Sequence, residues 1–400
     1  MSKSLSLFLK KDREKSVIRH HPWIFSGAVK NVQGDPSSGE TVAVRDAHGK
    51  FLAWASYSPV SQIRARIWNW REGDTVDADF MSGRLALSLT RRAALARTEE
   101  GVPQALRLVH GESDGLPGLI VDCYAETLVM QILSAGTELW REVIAEALKG
   151  LTSAQTLYER SDVEVRKLEG LEPRTGLVWG ISQPELVEIE ENGLVFGVYV
   201  RSGHKTGFYL DQRLNRTRVR DLAKGKEILD CFSYTGGFAI NALAGEAKSV
   251  CLVDTSAEVL QFAKENIQRN DLPLGRAEFL EGDVFEVLRL FRDQARSFDM
   301  IILDPPKFAP TASHAKRAAR GYKDINLLAF KLLRPGGLLV TFSCSGGISP
   351  ELFQKIVAGA AMDAGIHAQI LERLSQSPDH PVALNFPEGE YLKGMLVRRD

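Results

Sequence analysis

Alternating apolar strands and amphipathic helices fill the second half of this sequence, and this pattern constrains the fold more than any other feature. Five strand–helix pairs begin with "KEILD" and "GGFAINALA" and end with "GGLLVTFS" and "PELFQKIVAGAAMDA". Two further strands, "HAQILERL" and "YLKGMLVRR", follow them. Consecutive parallel strands need a long crossover connection, which is usually a helix. The pattern therefore predicts an α/β fold, a parallel sheet covered by helices on both faces.

Three regions of the chain differ in pattern. Residues 1–75 hold short alternating segments such as "GETVAVRDAHGKFLAWASYS", which predict a small β-barrel domain. Residues 76–185 mix helices such as "MSGRLALSLTRRAALAR" with strands, which predicts a central α+β domain. Residues 186–400 open on a hairpin with Asn192-Gly193 at its turn and continue into the strand–helix repeats.

Composition excludes several classes of protein. A chain of 400 residues suits two or three domains. Its formal net charge of −1 means that nucleic-acid binding must come from local basic patches. The cysteines form no C-x-x-C pair, and no apolar run suits a signal peptide or a membrane span, so we expect a cytoplasmic enzyme with reduced thiols and no metal site. The four cysteines are Cys123, Cys231, Cys251 and Cys344.

Four aspartates end or directly follow four successive predicted strands. They are Asp230, Asp254, Asp283 and Asp304. In open parallel sheets, ligands bind at the carboxyl ends of the strands. One such carboxylate often only caps the next helix, as Asp254 before "TSAEV" could do. Four aspartates at the corresponding ends of four successive strands favour a ligand site.

A glycine loop, "CFSYTGGFAI", follows Asp230 and opens a helix. Gly236 and Gly237 allow the backbone to approach a ligand closely. The loop lacks the G-x-G-x-x-G spacing, so a dinucleotide site is only weakly supported. Asp254 comes 24 residues after Asp230 and is placed to accept hydrogen bonds from a ribose diol.

These motifs resemble those of a Rossmann-type S-adenosylmethionine-dependent methyltransferase. The resemblance rests on "LDCFSYTGGFA", "VDTSAEVL", "GDVFEVL", "LDPPKF" and "LLRPGGLLVTFSCS". With "RSGHKTGFYLDQRLNR" and the β-rich N-terminal region, nearly the whole chain resembles the bacterial large-subunit ribosomal RNA cytosine-5 methyltransferase family, called RlmI. The resemblance implies an N-terminal PUA RNA-binding domain, a central α+β domain and a catalytic domain. It also implies S-adenosylmethionine as cofactor and large-subunit ribosomal RNA as partner.

The resemblance and the strand ends together imply a set of cofactor-binding residues. They are Asp230, Phe232, Tyr234, Gly236, Gly237, Asp254, Ser256, Asp283 and Asp304. Asp283 corresponds to the acid on the adenine side. The segment "GHKTGFYLDQR" is implied to fold over the cofactor, and it adds Phe208, Asp211 and Gln212.

Cys344 follows the strand "GGLLVTFS" and lies 40 residues after Asp304, which follows the preceding strand of the repeats. Carbon 5 of cytosine is a poor nucleophile toward a methyl group. A thiolate that adds at carbon 6 converts the ring to an enamine, which attacks readily. In cytosine-5 RNA methyltransferases the nucleophile is a cysteine, and the position of Cys344 resembles the position of that cysteine. The alternative is a buried structural thiol, which is common among free cysteines.

Asp304 is the second predicted catalytic residue, suited to hold N3 of the cytosine and to stabilise charge as the thiolate adds. Pro305 and Pro306 stiffen the loop that follows it. Many cytosine-5 RNA methyltransferases carry a second cysteine directly after two such prolines, linked to product release. Here Lys307 occupies that position, which leaves the base that removes the carbon-5 proton unassigned.

Two basic segments are candidates for RNA contact. The first 30 residues carry seven Lys or Arg against two acids, and residues 307–323 carry five with no acid. The alternative for the first segment is a solvated face next to a core tryptophan, and the alternative for the second is a solvated helix face. Residues 201–226 carry eight bases against two acids. The predicted RNA-binding residues are Lys10, Lys11, Arg13, Trp23, Lys307, Lys316, Arg317 and Arg320.

Three other functions compete with cytosine-5 methylation. Methylation of an exocyclic amine or a purine ring nitrogen also uses an Asp-Pro-Pro loop, usually with an aromatic residue next, and Phe308 is one residue late for that. An RNA-binding scaffold would not need the glycines and the strand-end acids. A nicotinamide oxidoreductase would need the missing dinucleotide motif. A homodimer is compatible with the sequence, which does not determine the oligomeric state.

Overall fold

The computed structural model describes residues 5–93, 95, 105–181, 185–308 and 315–400. The chain forms two compact units. The first unit comprises Met1–Glu190, Gly197–Leu210 and Pro378–Gly389, and the second comprises Glu191–Phe196, Asp211–Ser377 and Glu390–Asp400. Across the described ranges, no helix combines the length and the apolar character that a bilayer crossing requires.

The first unit holds two sheets and five helices in its described part. Its strands are β1 Ser6–Leu9, β2 Trp23–Phe25, β3 Val29–Gln33, β4 Thr41–Arg45, β5 Phe51–Tyr57, β6 Ile63–Asn69, β7 Leu106–His110, β8 Leu119–Tyr124, β9 Thr127–Ile132, β10 Thr156–Ser161 and β11 Arg174–Gly180. Its helices are α1 Lys15–Ile18, α2 Ala78–Ala93, α3 Ala135–Leu139, α4 Arg141–Leu151 and α5 Val165–Leu168.

A six-stranded sheet in the order β2-β6-β5-β4-β1-β3 forms the N-terminal part of this unit. Only the β1–β4 pair is parallel. The inward faces of the strands alternate apolar residues, and Leu7, Val44 and Ile67 are among those that are fully or almost fully buried. The small β-rich module predicted from the alternating pattern is therefore present.

A five-stranded sheet in the order β11-β10-β9-β8-β7 follows, with α2 and α4 packed against each other beside it. Trp68, from β6 of the six-stranded sheet, belongs to the same core as Met81 and Leu85 of α2. The boundary predicted near residue 75 thus falls within one compact unit. The division into regions 1–75, 76–185 and 186–400 stays a prediction.

The second unit carries the strand–helix repeats. Its elements are α6 Arg213–Leu222, β14 Glu227–Cys231, α7 Gly237–Ala244, β15 Ser249–Asp254, α8 Ala257–Arg269, β16 Ala277–Glu281, α9 Val284–Asp293, β17 Phe298–Leu303, α10 Ala315–Leu332, β18 Leu333–Ser343, α11 Pro350–Asp363, β19 Ala368–Leu374 and β20 Lys393–Arg399. A hairpin, β12 Leu186–Glu191 and β13 Leu194–Tyr199, has residues in both units. Asn192 and Gly193 at its turn both have positive φ, as the Asn-Gly pair predicts.

The seven-stranded sheet of this unit has the order β16-β15-β14-β17-β18-β20-β19. The strands from β14 to β18 are parallel, and β20 runs antiparallel to both of its neighbours. The strand order reverses between β14 and β17, and ligands of open parallel sheets bind at such switch points. Strand centres such as Leu229, Ile301 and Leu339 are fully buried between helices. The predicted α/β fold is confirmed.

Helix α10 begins earlier than the sequence predicts. The sequence pattern predicts a loop after the strand "FDMIILD" and then the helix "INLLAFKLL", which starts at residue 325, but the helix begins at Ala315. Alanine, lysine and arginine dominate the added turns and favour a helix. Ala318, Tyr322 and Ile325 follow the i, i+4, i+7 spacing and are all buried. Residues 315–323 of the basic segment therefore lie on a helix, whereas Lys307 lies in the loop that follows β17.

Candidate active site

The loop between β14 and α7 has a strained backbone. Phe232 and Tyr234 have φ values of 61° and 46°, which non-glycine residues rarely adopt, and Gly236 has a φ of 82°. Gly236 is the N-cap of α7 and supplies no side-chain cap, so the first N–H groups of the helix face the loop without a side-chain partner. Gly237 is buried in the first turn of α7. The loop has the form of a ligand cradle, as the glycines predict.

Asp254 orients this loop. Its carboxylate accepts hydrogen bonds from the backbone N–H of Tyr234 at 2.9 Å and of Ser256 at 3.2 Å. It does not cap α8, because Ser256 does so through its hydroxyl, 3.4 Å from the N–H of Val259. A carboxylate has about four lone pairs, so two hydrogen bonds leave capacity for the ribose diol that the sequence predicts.

Asp230 is a buried carboxylate, 1 % exposed, and neither of its oxygens has a hydrogen-bond partner among the described residues. Burial raises its pKa well above the ordinary value, and the negative charges of Asp304 and Asp254 raise it further. The Ala239 amide opposes this shift without reaching hydrogen-bonding geometry. Such a group suits a cationic ligand that would pair with it.

The hydroxyls of Ser233 and Thr235, in the same loop, are also buried without a hydrogen-bond partner among the described residues. S-adenosylmethionine carries an ammonium group, a sulfonium, a carboxylate and two ribose hydroxyls. The unpaired carboxylate, the buried hydroxyls and the uncapped N–H groups of the first turn of α7 match these groups in kind. The residues present therefore fit this cofactor.

Asp283 is the exposed N-cap of α9. Its Oδ1 accepts hydrogen bonds from the N–H groups of Phe285 at 2.8 Å and Glu286 at 3.2 Å. Its Oδ2 makes no hydrogen bond to a described residue. A helix-capping role thus accounts for this strand-end acid, and its predicted place near the adenine stays a prediction.

Gln212 reaches the strand-end acids from the start of α6. Its Nε2 donates to Asp304 Oδ2 at 2.9 Å, and its own Oε1 accepts from Asn215 Nδ2 at 2.6 Å. Asp211 instead accepts a hydrogen bond from the hydroxyl of Tyr391 at 2.6 Å. Gln212 therefore positions Asp304, a contact that the sequence did not predict.

Phe208 belongs to the first unit and is 3 % exposed. Its backbone N–H donates to the hydroxyl of Tyr124 at 3.2 Å. This contact, with the burial, accounts for the residue structurally. Its predicted contact with the cofactor stays a prediction.

Asp304 and Cys344 lie on one rim of the sheet, as their positions after neighbouring strands predict. Leu303, the last residue of β17, pairs with Thr341 of β18. Asp304 directly follows β17, and Cys344 directly follows β18. Cys344 is half-buried, and its Sγ lies 4.0 Å from the carbonyl oxygen of Pro305. The candidate nucleophile is thus next to the Asp-Pro-Pro loop.

Two buried side chains fix the segment that carries Cys344. The hydroxyl of Tyr322 lies 2.9 Å from that of Ser345, and Lys393 Nζ donates to the Ser345 carbonyl at 2.8 Å. Sequence reasoning missed both residues. Tyr322 lies in a segment that we expected to be a loop, and Lys393 reaches the rim only because β20 pairs with β18.

Phe308 does not project as a stacking aromatic residue would. Its ring packs on Tyr322, with centroids 4.8 Å apart, and lies 6.0 Å from the ring of Phe285. It is partly buried against the hydrophobic core. This packing gives no support to the amine-methyltransferase alternative.

The other three cysteines are poor nucleophiles in this structure. Burial raises the pKa of the Cys123 and Cys251 thiols to about 12, and that of Cys231 well above its ordinary value. All four cysteines are described, and none forms a disulfide. Within the described ranges, no group of three or more His, Cys, Asp or Glu residues is arranged to hold a metal ion.

Comparison with known proteins decides the family. Residues 107–398 match the family profile of S-adenosylmethionine-dependent methyltransferases, and residues 7–70 match that of PUA-like domains. The chain is 52% identical over 395 residues, 99% of each chain, to ribosomal RNA large subunit methyltransferase I of Aeromonas salmonicida. It is 50% identical, over the same share, to the proteins of that name from Enterobacter sp. and Yersinia pestis. This chain belongs to the ribosomal RNA large subunit methyltransferase I family.

The cofactor of this family member is S-adenosylmethionine, as predicted. Solved structures of similar fold include a proposed S-adenosylmethionine-dependent methyltransferase from Streptococcus mutans, with a TM-score of 0.85 and 20% identity over 98% of this chain and 100% of that one. A second is SMU.776, a proposed methyltransferase crystallised with SAH, with a TM-score of 0.86 and 21% identity over the same shares. At these identities, the likeness shows the fold alone.

Four of the residues predicted to bind RNA lie after β17 or on α10, and all four are exposed. Lys307 follows the two prolines, and Lys316, Arg317 and Arg320 project from α10. Residues 309–314 of the predicted basic segment lie outside the described residues. The exposed positions suit contact with phosphates, which stays a prediction.

The basic segment 201–226 differs. Arg216 pairs with Glu191 through two bonds of 2.6 Å, and Arg218 pairs with Glu372 at 2.7 Å. Lys224 pairs with Glu246 at 2.9 Å. Acids that are distant in the sequence neutralise these three bases.

In the N-terminal segment, Lys10, Lys11 and Arg13 are exposed, and Lys10 Nζ donates to the Gly27 carbonyl at 2.9 Å. Trp23 is held structurally, because its indole N–H donates to Glu112 at 2.7 Å and its ring packs on Phe386. A cavity of about 370 Å³ there is lined by Arg13, Trp23 and Phe25, among others. Phe25 is 50% exposed and is the better candidate for stacking, although the sequence analysis did not select it.

Proposed function

We propose that this protein transfers a methyl group from S-adenosylmethionine to carbon 5 of a cytosine in large-subunit ribosomal RNA, through a covalent bond between Cys344 and carbon 6. The names of relatives at 50% identity or more support the class of RNA. The observation that carries the choice of carbon 5 is the position of Cys344, with its Sγ 4.0 Å from the Pro305 carbonyl. Methylation at an amine or a ring nitrogen needs no such thiol.

In the first step, the Cys344 thiolate forms a bond to carbon 6 of the cytosine. The π electrons between carbon 5 and carbon 6 move onto carbon 5, which becomes nucleophilic. Bound S-adenosylmethionine supplies an electrophilic methyl group. The half-buried position of Cys344 at the rim leaves its thiolate accessible to a nucleobase of the RNA.

Asp304 supports this addition from the neighbouring strand end. By sharing a proton with N3, it offsets the negative charge that builds on the ring. Gln212 donates a hydrogen bond to Oδ2 of this carboxylate at 2.9 Å. The contact fixes the Asp304 side chain and so orients its other oxygen toward the base. The carbon-5 proton then passes to water, the electrons of its C–H bond restore the double bond between carbon 5 and carbon 6, and the Cys344 thiolate leaves carbon 6.

RNA that contains 5-fluorocytosine tests the mechanism, because fluorine at carbon 5 cannot leave as a proton. We expect the wild-type protein, with S-adenosylmethionine, to form an adduct that survives denaturation. Cys344→Ala should form no adduct and should lose turnover by several orders of magnitude, with cofactor affinity unchanged. Cys123→Ala is the matched control and should keep both adduct and turnover.

Mass spectrometry of the modified nucleotide identifies the position of the methyl group independently. A methyl group on carbon 5 of cytosine is the expected result. Turnover by Cys344→Ala at the wild-type rate, or a methyl group on an amine or a ring nitrogen, would sink the proposal.

A further inference from the structure

We propose that Lys393 is a positioning residue for catalysis, whose ammonium group stabilises the thiolate form of Cys344 and fixes the segment that carries it. The inference rests on the proposed function, because it assigns a purpose to the thiolate of Cys344. Nothing in the sequence motifs or in the family comparisons assigns a role to this lysine.

The topology of the sheet brings Lys393 to the rim. It is the first residue of β20 and pairs with Ser343, the last residue of β18 and the neighbour of Cys344. Lys393 is 7% exposed, and its Nζ donates to the Ser345 carbonyl at 2.8 Å. The lysine thus contacts the residue directly after the candidate nucleophile.

Burial of this ammonium group is unusual because no carboxylate of a described residue lies within 4.0 Å of it. Buried lysines are otherwise paired, since an unpaired buried charge is costly. The groups that act on its charge are Cys344, Lys307 and Glu390. Glu390 is exposed and makes no ion pair with the lysine, so Cys344 is the half-buried group of suitable chemistry to serve as counter-ion.

In the titration of Lys393, the charge of Cys344 favours the ammonium form, whereas burial acts against it. Burial lowers the pKa of the Lys393 ammonium, and Lys307 lowers it further, whereas Cys344 and Glu390 oppose the shift. Tyr322 faces the same segment, and burial raises the pKa of its phenol, so it stays neutral at physiological pH. Lys393 is therefore the buried cation that interacts with Cys344.

The lysine favours ionisation of the Cys344 thiol, which needs no other reactant than water. The S–H bond of Cys344 breaks, its electron pair stays on sulfur, and the proton passes to water, while Lys393 keeps its protons. A cation beside a cysteine lowers the pKa of the thiol and so raises the fraction of thiolate at neutral pH. That thiolate is the species that adds to carbon 6.

Alkylation of Cys344 by iodoacetamide, followed by peptide mass spectrometry from about pH 6 to about pH 10, measures its ionisation in the full-length protein. We expect the wild-type rate to rise through an inflection below about 8.5, the ordinary value for a cysteine. An inflection at or above that value would overturn the inference, whatever the behaviour of the variants.

Two variants separate the charge from the hydrogen bond. Lys393→Gln keeps a donor for the Ser345 carbonyl without the charge, and Lys393→Met removes both. We expect both to slow alkylation of Cys344 roughly tenfold near neutral pH and to reach the wild-type rate at high pH, since a shift of one pKa unit is a factor of ten. Lys331→Met, at an exposed position at the end of α10, should match the wild type.

A wild-type alkylation profile for a folded Lys393→Gln would show that the lysine has only a structural role. S-adenosylmethionine affinity reports folding of each variant. Alkylation needs neither RNA nor cofactor, so its result is separate from that of adduct trapping. If trapping fails while the alkylation profiles shift as expected, the proposed function is wrong and the effect of Lys393 on the thiol stands.

Discussion

The buried carboxylate of Asp230, a single residue of the candidate cofactor site, lowers the stability of the folded protein. Its carboxylate is buried and unpaired within the described structure, and its pKa is raised by burial and by neighbouring carboxylates. A raised pKa of an acid means that folding opposes ionisation. The cost is absent at low pH, where the group is protonated in both states, and it grows as pH rises from the unfolded value of about 3.9 to the higher folded value.

We therefore expect Asp230→Asn to raise the free energy of unfolding of the cofactor-free protein by roughly 1 to 3 kcal/mol at neutral pH, because it replaces a buried charge with a neutral group of nearly the same shape. The same change should weaken S-adenosylmethionine binding. Urea denaturation at several pH values and calorimetry measure the two effects. Equal stability of variant and wild type at neutral pH would show that Asp230 carries no penalty.

Asp254 makes the opposite case, since its carboxylate is already paired with the N–H groups of Tyr234 and Ser256. Asp254→Ala leaves those groups and the ribose hydroxyls without an acceptor. We expect a loss of about 1 to 3 kcal/mol in S-adenosylmethionine binding by calorimetry. Asp293→Ala, an exposed position at the end of α9, is the control. Unchanged affinity in Asp254→Ala would disprove the ribose assignment.

At the scale of elements, the turn from β14 into α7 depends on one glycine. Gly236 has a φ of 82°, and a Cβ there would lie 3.0 Å from the Cβ of Ala263 in α8. Gly225 has a φ of 71°, but a Cβ there would meet no atom within 4 Å. Substitution of Gly225 therefore tests the backbone strain alone, whereas substitution of Gly236 tests the strain together with the contact between α7 and α8.

Alanine at Gly225 should cost about 1 to 2 kcal/mol of unfolding free energy, the usual penalty for a left-handed non-glycine residue. Alanine at Gly236 should cost more, and only this variant should also weaken cofactor binding, because α7 must move away from α8. Chemical denaturation and calorimetry of both variants provide the comparison. Equal costs and equal affinities would mean that the contact with Ala263 relaxes freely.

The strand ends were predictable because each repeat carries its own periodic pattern, and Asp304 and Cys344 follow from them. Contacts that depend on pairing between distant segments could not be predicted from the sequence. The pairing of Arg216 with Glu191 and the approach of Lys393 to the rim need a fold before they exist. The early start of α10 was missed because alanine and basic residues were interpreted as an RNA-binding loop, although they also favour helices.

At the scale of the whole molecule, RNA binding should draw on both units. Truncation cannot test this cleanly, because Trp68 packs in a core with Met81 and Leu85, so removal of the N-terminal strands would expose that core. Charge variants are the better probes: Lys11→Ala with Arg13→Ala in one unit, and Lys316→Ala, Arg317→Ala and Arg320→Ala in the other.

We expect each set to weaken RNA binding and to reduce the slope of log affinity against log salt by about 0.7 to 0.9 for every phosphate that the protein no longer neutralises. S-adenosylmethionine affinity should not change. Lys331→Met serves as the control for the removal of one exposed charge. A wild-type slope in either set would show that the corresponding surface does not bind phosphates.

The position of β20 between β18 and β19 has a consequence for the order of folding. Among the strands of the described residues, β19 has β20 as its one neighbour in the sheet, yet the segment that includes Pro378–Gly389, part of the first unit, separates the two strands in the chain. Strands β14 to β18 can assemble from one continuous stretch, whereas β19 must wait for a later strand to bridge the gap. We therefore expect the rim that holds Cys344 to be completed in two stages, with β18 in place before Lys393 reaches Ser345.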